Sequence, residues 1–221
     1  MILTILQARM SSTRLPGKVL KPVLGEPILQ FQIRRLQGAK KVDRLVLATS
    51  THPSDDPLED LAHQCKIDCF RGSLEDVLDR FCQCARRYQP RIVVRTTGDC
   101  PLIDPELVDQ VIALHLSSGA DFTANTIHRT FPDGLDTEAM SFATLERLEK
   151  LALKPDEREH VTRYVYAHPD EFRISSLEGA EDFSRLRWTL DTPQDFEFLS
   201  RIIEQVRTPH FSWKDIIPCA I

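Results

Sequence analysis

The sequence predicts an α/β protein with a doubly wound, mostly parallel sheet. Short apolar segments of strand length alternate with longer amphipathic segments, and several strand candidates end in Gly, Asp or hydroxyl residues. This alternation is typical of strands joined by right-handed helical crossovers, with helices covering both faces of the sheet. The 221 residues and 42% apolar content are sufficient for one such domain.

Strand candidates are short segments that contain apolar residues and lie between the helix candidates. We predict strands at 2–6, 44–49, 67–70, 91–95, 121–125 and 186–190.

Helix candidates lie between these strands, and the clearest spans 73–88. We predict that Ser73 caps it and that Asp76 completes a capping box, because apolar residues then recur on one helical face. Further helix starts are predicted at Asp55-Asp56-Pro57, at Asp104-Pro105, and at Thr192 for a helix that runs to about Val206.

The stretch 126–185 is less regular, because it mixes turn residues with short helical segments. We interpret it as an inserted region that covers the carboxyl edge of the sheet, within a single domain spanning 1–221.

Composition argues against several function classes. The net charge of −5 disfavours a large nucleic-acid surface, so we expect no nucleic-acid partner. Without an apolar run long enough to span a bilayer, and without a signal-peptide pattern after Met1, we expect a cytoplasmic protein with no membrane partner. The six cysteines lack paired zinc-site spacing and are predicted to be structural thiols; Cys100 alone lies within a candidate site.

A basic loop follows the first predicted strand. It reads Gln-Ala-Arg-Met-Ser-Ser-Thr-Arg-Leu-Pro-Gly-Lys at 7–18, and residues 1–25 contain four Lys or Arg but no Asp or Glu. At the carboxyl end of a strand, such a loop can offer N–H groups, hydroxyls and guanidinium groups to a polyphosphate. A solvated surface turn is the alternative, and the loop alone does not decide between them.

Two aspartates follow later strand candidates. Asp99 lies in Thr-Thr-Gly-Asp-Cys-Pro after 91–95, and Asp191 lies in Leu-Asp-Thr-Pro after 186–190. Mg²⁺ binds one or two carboxylates together with water and phosphate oxygens, so both residues are candidate ligands. The alternatives are that Asp99 closes a turn and that Asp191 caps the last helix, although Thr192 and Asp195 already form a capping box there.

Two further polar segments have open interpretations. Phe-Pro-Asp-Gly-Leu-Asp-Thr-Glu at 131–138 is either a surface turn or a recognition segment for substrate hydroxyls or amines. Glu-Arg-Glu-His at 157–160 opens a helix, where acidic residues favour the helix dipole without any ligand.

Together, the basic loop, Gly-Asp-Cys-Pro-Leu-Ile at 98–103 and Asp-Thr-Pro-Gln-Asp at 191–195 resemble the cytidylyltransferase family that activates acidic sugars. This family includes the CMP-Kdo and CMP-sialate synthetases. The segments 131–136 and 157–162 are most similar to its SpsF-type branch, which serves spore-coat polysaccharide biosynthesis. The resemblance implies a Rossmann-like nucleotidyltransferase fold, with 126–185 as an arm used for substrate binding or homodimer formation.

The resemblance also implies roles for individual residues. It places Mg²⁺ on Asp99 and Asp191. Catalytic roles are predicted for Arg9, Arg14, Lys18 and Asp99. Nucleotide contacts are predicted for Gln7, Ala8, Arg9, Ser11, Ser12, Arg14, Lys18, Arg95 and Thr97. Sugar contacts are predicted for Asp136, Glu138, Arg158 and His160.

Two positions depart from the family pattern. Thr97 stands where the Kdo-type enzymes have a Gln that helps to read cytosine, which leaves the base open. Thr189 stands where the sialate-type enzymes have a second Asp, which suggests a late metal motif with one Asp.

The function expected from these residues is nucleotidyl transfer between CTP and an acidic or amino-modified sugar, giving a CMP-sugar and pyrophosphate. One alternative is a glycosyltransferase that uses a nucleotide-sugar donor, although Asp99 lacks an Asp-x-Asp partner. The other alternative is a nucleotide-binding subunit without catalytic activity.

Overall fold

The computed structural model describes residues 1–219. The strands in this part of the chain are β1 Ile2–Gln7, β2 Pro22–Val23, β3 Glu26–Pro27, β4 Arg44–Ser50, β5 Asp68–Gly72, β6 Ile92–Thr97, β7 Phe122–Ala124, β8 Glu138–Ser141 and β9 Ile174–Ser176. The α-helices are α1 Ile28–Leu36, α2 Asp56–Gln64, α3 Val77–Tyr88, α4 Pro105–Ser118, α5 Phe142–Leu151, α6 Pro155–Glu159, α7 Arg163–Ala167 and α8 Pro193–Val206.

Seven strands form one sheet in the order β5-β4-β1-β6-β8-β7-β9. All neighbours pair in parallel except β8, which is antiparallel to both β6 and β7. In the register of β1 and β6, Gln7 lies opposite Thr97. The two strands therefore end side by side, and the loops that follow them leave the sheet together.

Three apolar clusters cover the sheet and its carboxyl end. One packs α3, α5 and α7 against one face of the sheet, and a second packs α1, α2 and α4 against the other face. The third joins α8 to the segment around Trp188 and Trp213. This third cluster places the segment before α8 across the carboxyl ends of the strands, next to the loop after β6.

The predicted fold class is confirmed, and the predicted strands at 2–6, 44–49, 67–70, 91–95 and 121–125 agree with the structure to within two residues. The helix starts near 55–57, 104–105 and 192 are also confirmed.

The predicted strand at 186–190 is wrong. Its alternating Leu186, Trp188 and Leu190 are buried to different extents, but the segment is an extended connection with a single bridge between Asp133 and Arg187. Its backbone hydrogen bonds go to Asp133 and Asp99, at 2.6 Å from Trp188 N to Asp133 O and 2.8 Å from Leu190 N to Asp99 O. Because these partners lie in two different loops, no regular ladder forms.

The helix predicted at 73–88 begins at Val77. Asp76 is its N-cap and accepts a hydrogen bond from Asp79 N, whereas Ser73 Oγ accepts one from Asp76 N. Ser73 therefore closes the turn before the helix, and Asp76 caps the helix itself.

The region 126–185 contributes β8 and β9 to the central sheet and α5 and α7 to one of its faces. Val161 and Val165 from this region are fully buried in the same cluster as Leu3 and Ile5 of β1. Much of the region is therefore integrated into the core. Its role in a homodimer stays a prediction.

Within residues 1–219, no helix combines the length and the apolar character needed to cross a lipid bilayer.

The turn at Gly134 is held tightly against the segment before α8. Gly134 has φ of 108°, and a Cβ built there would lie 2.7 Å from the carbonyl group of Trp188. We predict that Gly134→Ala lowers the free energy of unfolding by about 3 kcal/mol, because it adds this clash to a strained backbone conformation. Gly119→Ala is the matched control, since Gly119 also has positive φ but open space around it; its expected cost is about 1 kcal/mol. Equal costs for both variants in urea unfolding would refute this account of the turn.

Candidate active site

A cleft of about 330 Å³ opens at the carboxyl ends of β1 and β6. The loop after β1, the start of α3 and the residues before α8 complete its walls. All nine residues predicted to contact the nucleotide line this cleft, and so do Asp99, Asp191 and His160. The structure therefore brings the basic loop and the two distant aspartates together, as the sequence predicts.

Lys18 lies close to both Asp99 and Asp191. Its Nζ donates to Leu190 O at 2.6 Å and to Asp191 Oδ1 at 3.0 Å, and lies 3.8 Å from Asp99 Oδ2. Gly17 precedes it with φ of 66°, a left-handed conformation that favours glycine and turns the chain toward the cleft. The side chain of Lys18 is 13% exposed, so its ion pairs are largely shielded from solvent.

Asp191 binds three cations. Besides Lys18, its Oδ1 forms an ion pair with Arg14 Nη2 at 2.9 Å, and its Oδ2 accepts a hydrogen bond from Arg187 Nη2 at 2.9 Å. The capping box of α8 is formed by Thr192 and Asp195, as predicted, so the carboxylate of Asp191 is not needed as a helix cap. Asp191 itself lines the cleft.

Asp99 lies at the border between the cleft and a second cavity. Thr97 Oγ1 donates to its Oδ1 at 2.5 Å, and Cys100 Sγ lies 3.6 Å from the same oxygen. Burial, followed by the charge of Asp99, raises the pKa of the Cys100 thiol well above its usual range. Cys100 is therefore a protonated structural thiol and not a nucleophile.

Asp55 is a buried residue that anchors the basic loop, whereas its sequence context predicts only the start of a helix. Its carboxylate accepts from Met10 N at 2.8 Å and from Ser50 Oγ at 2.5 Å. Burial alone would raise the pKa of Asp55, but hydrogen bonds from Ser50, Met10 and Thr49 lower it. An ionised Asp55 therefore fixes the start of the loop at the end of β4.

The second cavity, of about 310 Å³, shares Arg95, Thr97, Asp99 and Asp191 with the cleft. Five carboxylates and two guanidinium groups line it. We name it the acidic compartment, and its lining residues are Arg95, Thr97, Asp99, Cys100, Asp133, Asp136, Glu138, Arg187, Thr189 and Asp191.

Arginine side chains form ion pairs with several carboxylates of the acidic compartment. Arg129 binds both oxygens of Asp136, at 2.7 and 2.8 Å. Burial, followed by the charge of Asp136, raises the pKa of Asp133 above its usual value. A positively charged group bound there would offset this repulsion.

Glu138 connects the two cavities to α7. It accepts from Arg95 at 2.7 Å, from Thr162 at 3.1 Å and from Tyr166 at 2.8 Å. Arg95 also donates to Gln7 Oε1 at 3.0 Å. This network fixes the orientation of Arg95 between the cleft and the acidic compartment.

Two of the predicted sugar-contacting residues lie elsewhere. His160 lines the cleft and not the acidic compartment, next to Glu159, which accepts from Arg9 at 3.1 Å. Arg158 lines neither cavity. Its guanidinium donates to Asp76 at 2.6 and 2.9 Å and to Glu149 O at 3.0 Å, so it ties α6 to the start of α3. The placement of Arg158 does not support its predicted sugar contact.

The carboxylates at the border of the cleft fit a hard cation that also binds phosphate. No group of three or more His, Cys, Asp or Glu side chains among residues 1–219 could enclose a metal ion. Asp99 and Asp191 instead form a pair with the ammonium group of Lys18 beside both of them. A pair of carboxylates suits Mg²⁺, which completes its shell with water and phosphate oxygens.

Comparison with known proteins shows which family the chain belongs to. The profile of a family described as Cytidylyltransferase matches residues 3–215. The spore coat polysaccharide biosynthesis protein SpsF of Bacillus subtilis (strain 168) is 38% identical over 226 aligned positions, which cover 98% of this chain and 92% of SpsF. The chain belongs to the cytidylyltransferase family.

Solved structures lead to the same family and fold. A cytidylyltransferase from Leptospira borgpetersenii serovar Hardjo-bovis (strain JB197) superposes with a TM-score of 0.95 at 36% identity, covering 99% of this chain and 92% of that protein. The CMP:2-keto-3-deoxy-manno-octonic acid synthetase, solved with CTP, superposes with a TM-score of 0.71 at 16% identity, covering 93% and 99%. At that identity the second likeness shows the fold alone. The predicted family and nucleotidyltransferase fold are confirmed for this cytidylyltransferase.

Proposed function

We propose that this cytidylyltransferase joins CTP to a sugar, releasing pyrophosphate and giving a CMP-sugar for surface polysaccharide biosynthesis. The observation that carries the proposal is the convergence of Lys18, Asp99 and Asp191 on one cleft. Family membership supports the transfer reaction, and the name of the Bacillus relative supports the polysaccharide pathway.

The cations of the cleft suit the triphosphate. Arg9, Arg14 and Lys18 come from one short loop, and each pairs with a carboxylate: Arg9 with Glu159, and the other two with Asp191. Phosphate oxygens can replace these carboxylate oxygens as partners of the same donors. The three side chains would then stabilise the charge that develops on the departing pyrophosphate.

The residues that would hold Mg²⁺ are Asp99 and Asp191. When bound, the ion would neutralise phosphate charge and help to align the attacking and leaving oxygens. The exchange of Lys18 from Asp191 to a phosphate oxygen would free the carboxylate for this role.

The acidic compartment suits the acceptor sugar, because it opens onto the cleft at Asp99 and Asp191. A sugar hydroxyl attacks the α-phosphorus, a new O–P bond forms, and the bond from the α-phosphorus to pyrophosphate breaks. The hydroxyl proton must leave at the same stage, and Asp99, one of the two carboxylates at that border, would accept it. Five carboxylates and two guanidinium groups line the compartment, and Arg129 and Lys18 pair with four of these carboxylates from outside the lining. The small excess of negative charge favours an amino-substituted sugar over an acidic one.

Pyrophosphate release tests this function directly. The four ribonucleoside triphosphates would each be mixed with Mg²⁺ and with a panel of Kdo, nonulosonate and amino-sugar acceptors. We expect release with CTP, with amino sugars as the better acceptors because the acidic compartment attracts their charge. Release that requires an acidic sugar would contradict the acceptor assignment, and no release with any pair would contradict the function.

Removing single cations from the cleft should slow turnover. We predict that Lys18→Ala and Arg14→Ala each lower kcat by about 100-fold, the scale for loss of one preorganised charge-stabilising group. Arg44→Ala is the control, since Arg44 pairs with Asp68 at the surface outside the cleft, and its steady-state rate should match the wild type. Wild-type rates in both cleft variants would rule out the assigned role of the loop.

The metal role of Asp99 predicts a change in the Mg²⁺ requirement. Asp99→Asn keeps the size of the side chain but removes its charge, so we expect half-maximal activity to need at least about tenfold more Mg²⁺. Asp170→Asn, which changes an exposed carboxylate, should leave the titration as in the wild type. An unshifted Mg²⁺ curve for Asp99→Asn would remove Asp99 from the metal site.

A further inference from the structure

The five carboxylates that line the acidic compartment differ in how fully the protein satisfies them. Four of them accept hydrogen bonds from other side chains: Asp99, Asp136, Glu138 and Asp191. The exception within residues 1–219 is Asp133, whose two ion pairs are too long for hydrogen bonds. Its Oδ1 lies 3.6 Å from Arg129 Nη1, and its Oδ2 lies 3.9 Å from Arg187 Nε. Asp133 therefore keeps both oxygens available to a ligand.

The two arginines that pair with Asp133 direct their terminal nitrogens to other carboxylates. Arg129 donates from both of them to Asp136, at 2.7 and 2.8 Å. Arg187 donates from Nη2 to Asp191 at 2.9 Å, and from Nη1 to a carboxylate in the first turn of α8 at 2.6 Å. Burial, followed by the charge of Asp136, raises the pKa of Asp133 in spite of both arginines. A further cation next to Asp133 would offset this remaining cost.

The backbone holds Asp133 in a fixed position. Its N–H donates to Leu186 O at 2.9 Å, and its carbonyl oxygen accepts from Trp188 N at 2.6 Å. The side chain is 37% exposed, so a ligand in the acidic compartment can reach it. A fixed backbone with free carboxylate oxygens is a preorganised acceptor, because little freedom remains to be lost when a ligand binds.

The wall beside Asp133 holds a second unused polar group. Thr189 also lines the acidic compartment, and a Cβ built on Gly134 would lie 3.0 Å from Thr189 N, so the two segments are in close contact. Thr189 Oγ1 is buried and has no hydrogen-bond partner within residues 1–219. Because an unsatisfied buried hydroxyl is costly, this wall suits a polar ligand better than an apolar one.

Arg187 also relates Asp133 to the border with the cleft. Its Nε lies 3.9 Å from Asp133 Oδ2, and its Nη2 lies 2.9 Å from Asp191 Oδ2. The two carboxylates therefore lie on either side of one guanidinium group. A single monosaccharide can thus contact Asp133 with one substituent and present a hydroxyl group at the border with another.

We propose that Asp133 is a specificity-determining residue that accepts hydrogen bonds from a free primary ammonium group on the acceptor sugar. This inference rests on the proposed function, and it adds the residue that selects the acceptor and the chemical form of the amine. An ammonium group brings three donors and a full charge. N-acetylation would leave one neutral N–H and add a carbonyl oxygen, which the surrounding carboxylates disfavour. A hydroxyl group in the same place would donate without the charge.

The test compares Asp133→Asn with the wild type on matched acceptors. Asparagine keeps the size of the side chain but replaces one acceptor oxygen with an NH₂ donor, which would face the donors of the ammonium group. The acceptors are glucosamine, galactosamine and an 8-amino analogue of Kdo, each with its N-acetyl form and its hydroxyl counterpart. Pyrophosphate release with CTP and Mg²⁺ gives kcat and KM for each acceptor. Asp133→Ser serves as a second variant if Asp133→Asn does not fold.

We expect the wild type to prefer the free amine within a matched set. Asp133→Asn should lower this preference, measured as the ratio of kcat/KM values, by at least about tenfold, the scale for loss of one hydrogen bond to a charged group. The change should appear mainly in the KM for the amine, whereas kcat/KM for the hydroxyl counterpart and the KM for CTP should match the wild type. Asp170→Asn, which changes an exposed carboxylate, should keep the full preference.

Three results would overturn the inference: a wild type that does not prefer the free amine, an unchanged preference in Asp133→Asn, or an equal loss for all acceptors, which would make Asp133 a structural residue. Release with sugars that lack an amine, and not with the amines, would reject the role of Asp133 while the proposed transfer stands. If no acceptor gives pyrophosphate, the proposed transfer fails. The affinities of the wild type and Asp133→Asn for glucosamine, N-acetylglucosamine and glucose, measured by calorimetry with CMP present, then decide the role of Asp133.

Discussion

The contact of Lys18 with Asp191 and Asp99 is the interaction on which the site depends. It joins a loop near the amino terminus to two segments that come 81 and 173 positions later in the chain. The partners are mostly buried, so the attraction is screened less than at a surface. Since Arg14 and Arg187 also bind Asp191, the charges of the site balance one another within the protein. A triphosphate must therefore enter by exchanging partners, and each phosphate contact made by a cation releases a carboxylate oxygen.

The signs of charge divide the site into two parts. The cleft carries the cations of the basic loop, and the acidic compartment carries Asp133, Asp136 and Glu138. Their shared border is formed by Arg95, Thr97, Asp99 and Asp191. An anionic donor and a cationic or neutral acceptor would each enter the part that attracts it, and would meet at this border. Electrostatics of this kind orient the two substrates as well as bind them.

Much of this arrangement could be predicted from sequence, because parallel strands end at one edge of a sheet. Asp99 and the loop ending at Lys18 each follow a strand, so their proximity follows from the alternation of strands and helices. The local sequence pattern does not predict features that depend on contacts between distant segments of the chain. The alternation of apolar residues at 186–190 is compatible with a strand and also with an extended segment that packs between two loops, so it does not distinguish them. The pairing of Arg158 with Asp76 is equally invisible, because the two residues are 82 positions apart.

The decisive measurement for this site is a crystal structure with CTP bound and without acceptor. We expect the triphosphate to lie in the cleft, with Lys18 Nζ within hydrogen-bond distance of a phosphate oxygen and no longer bound to Asp191. We also expect the α-phosphorus to face the acidic compartment. A triphosphate bound elsewhere, or one bound in the cleft while Lys18 keeps its contacts to Asp191 and Leu190, would contradict this expectation.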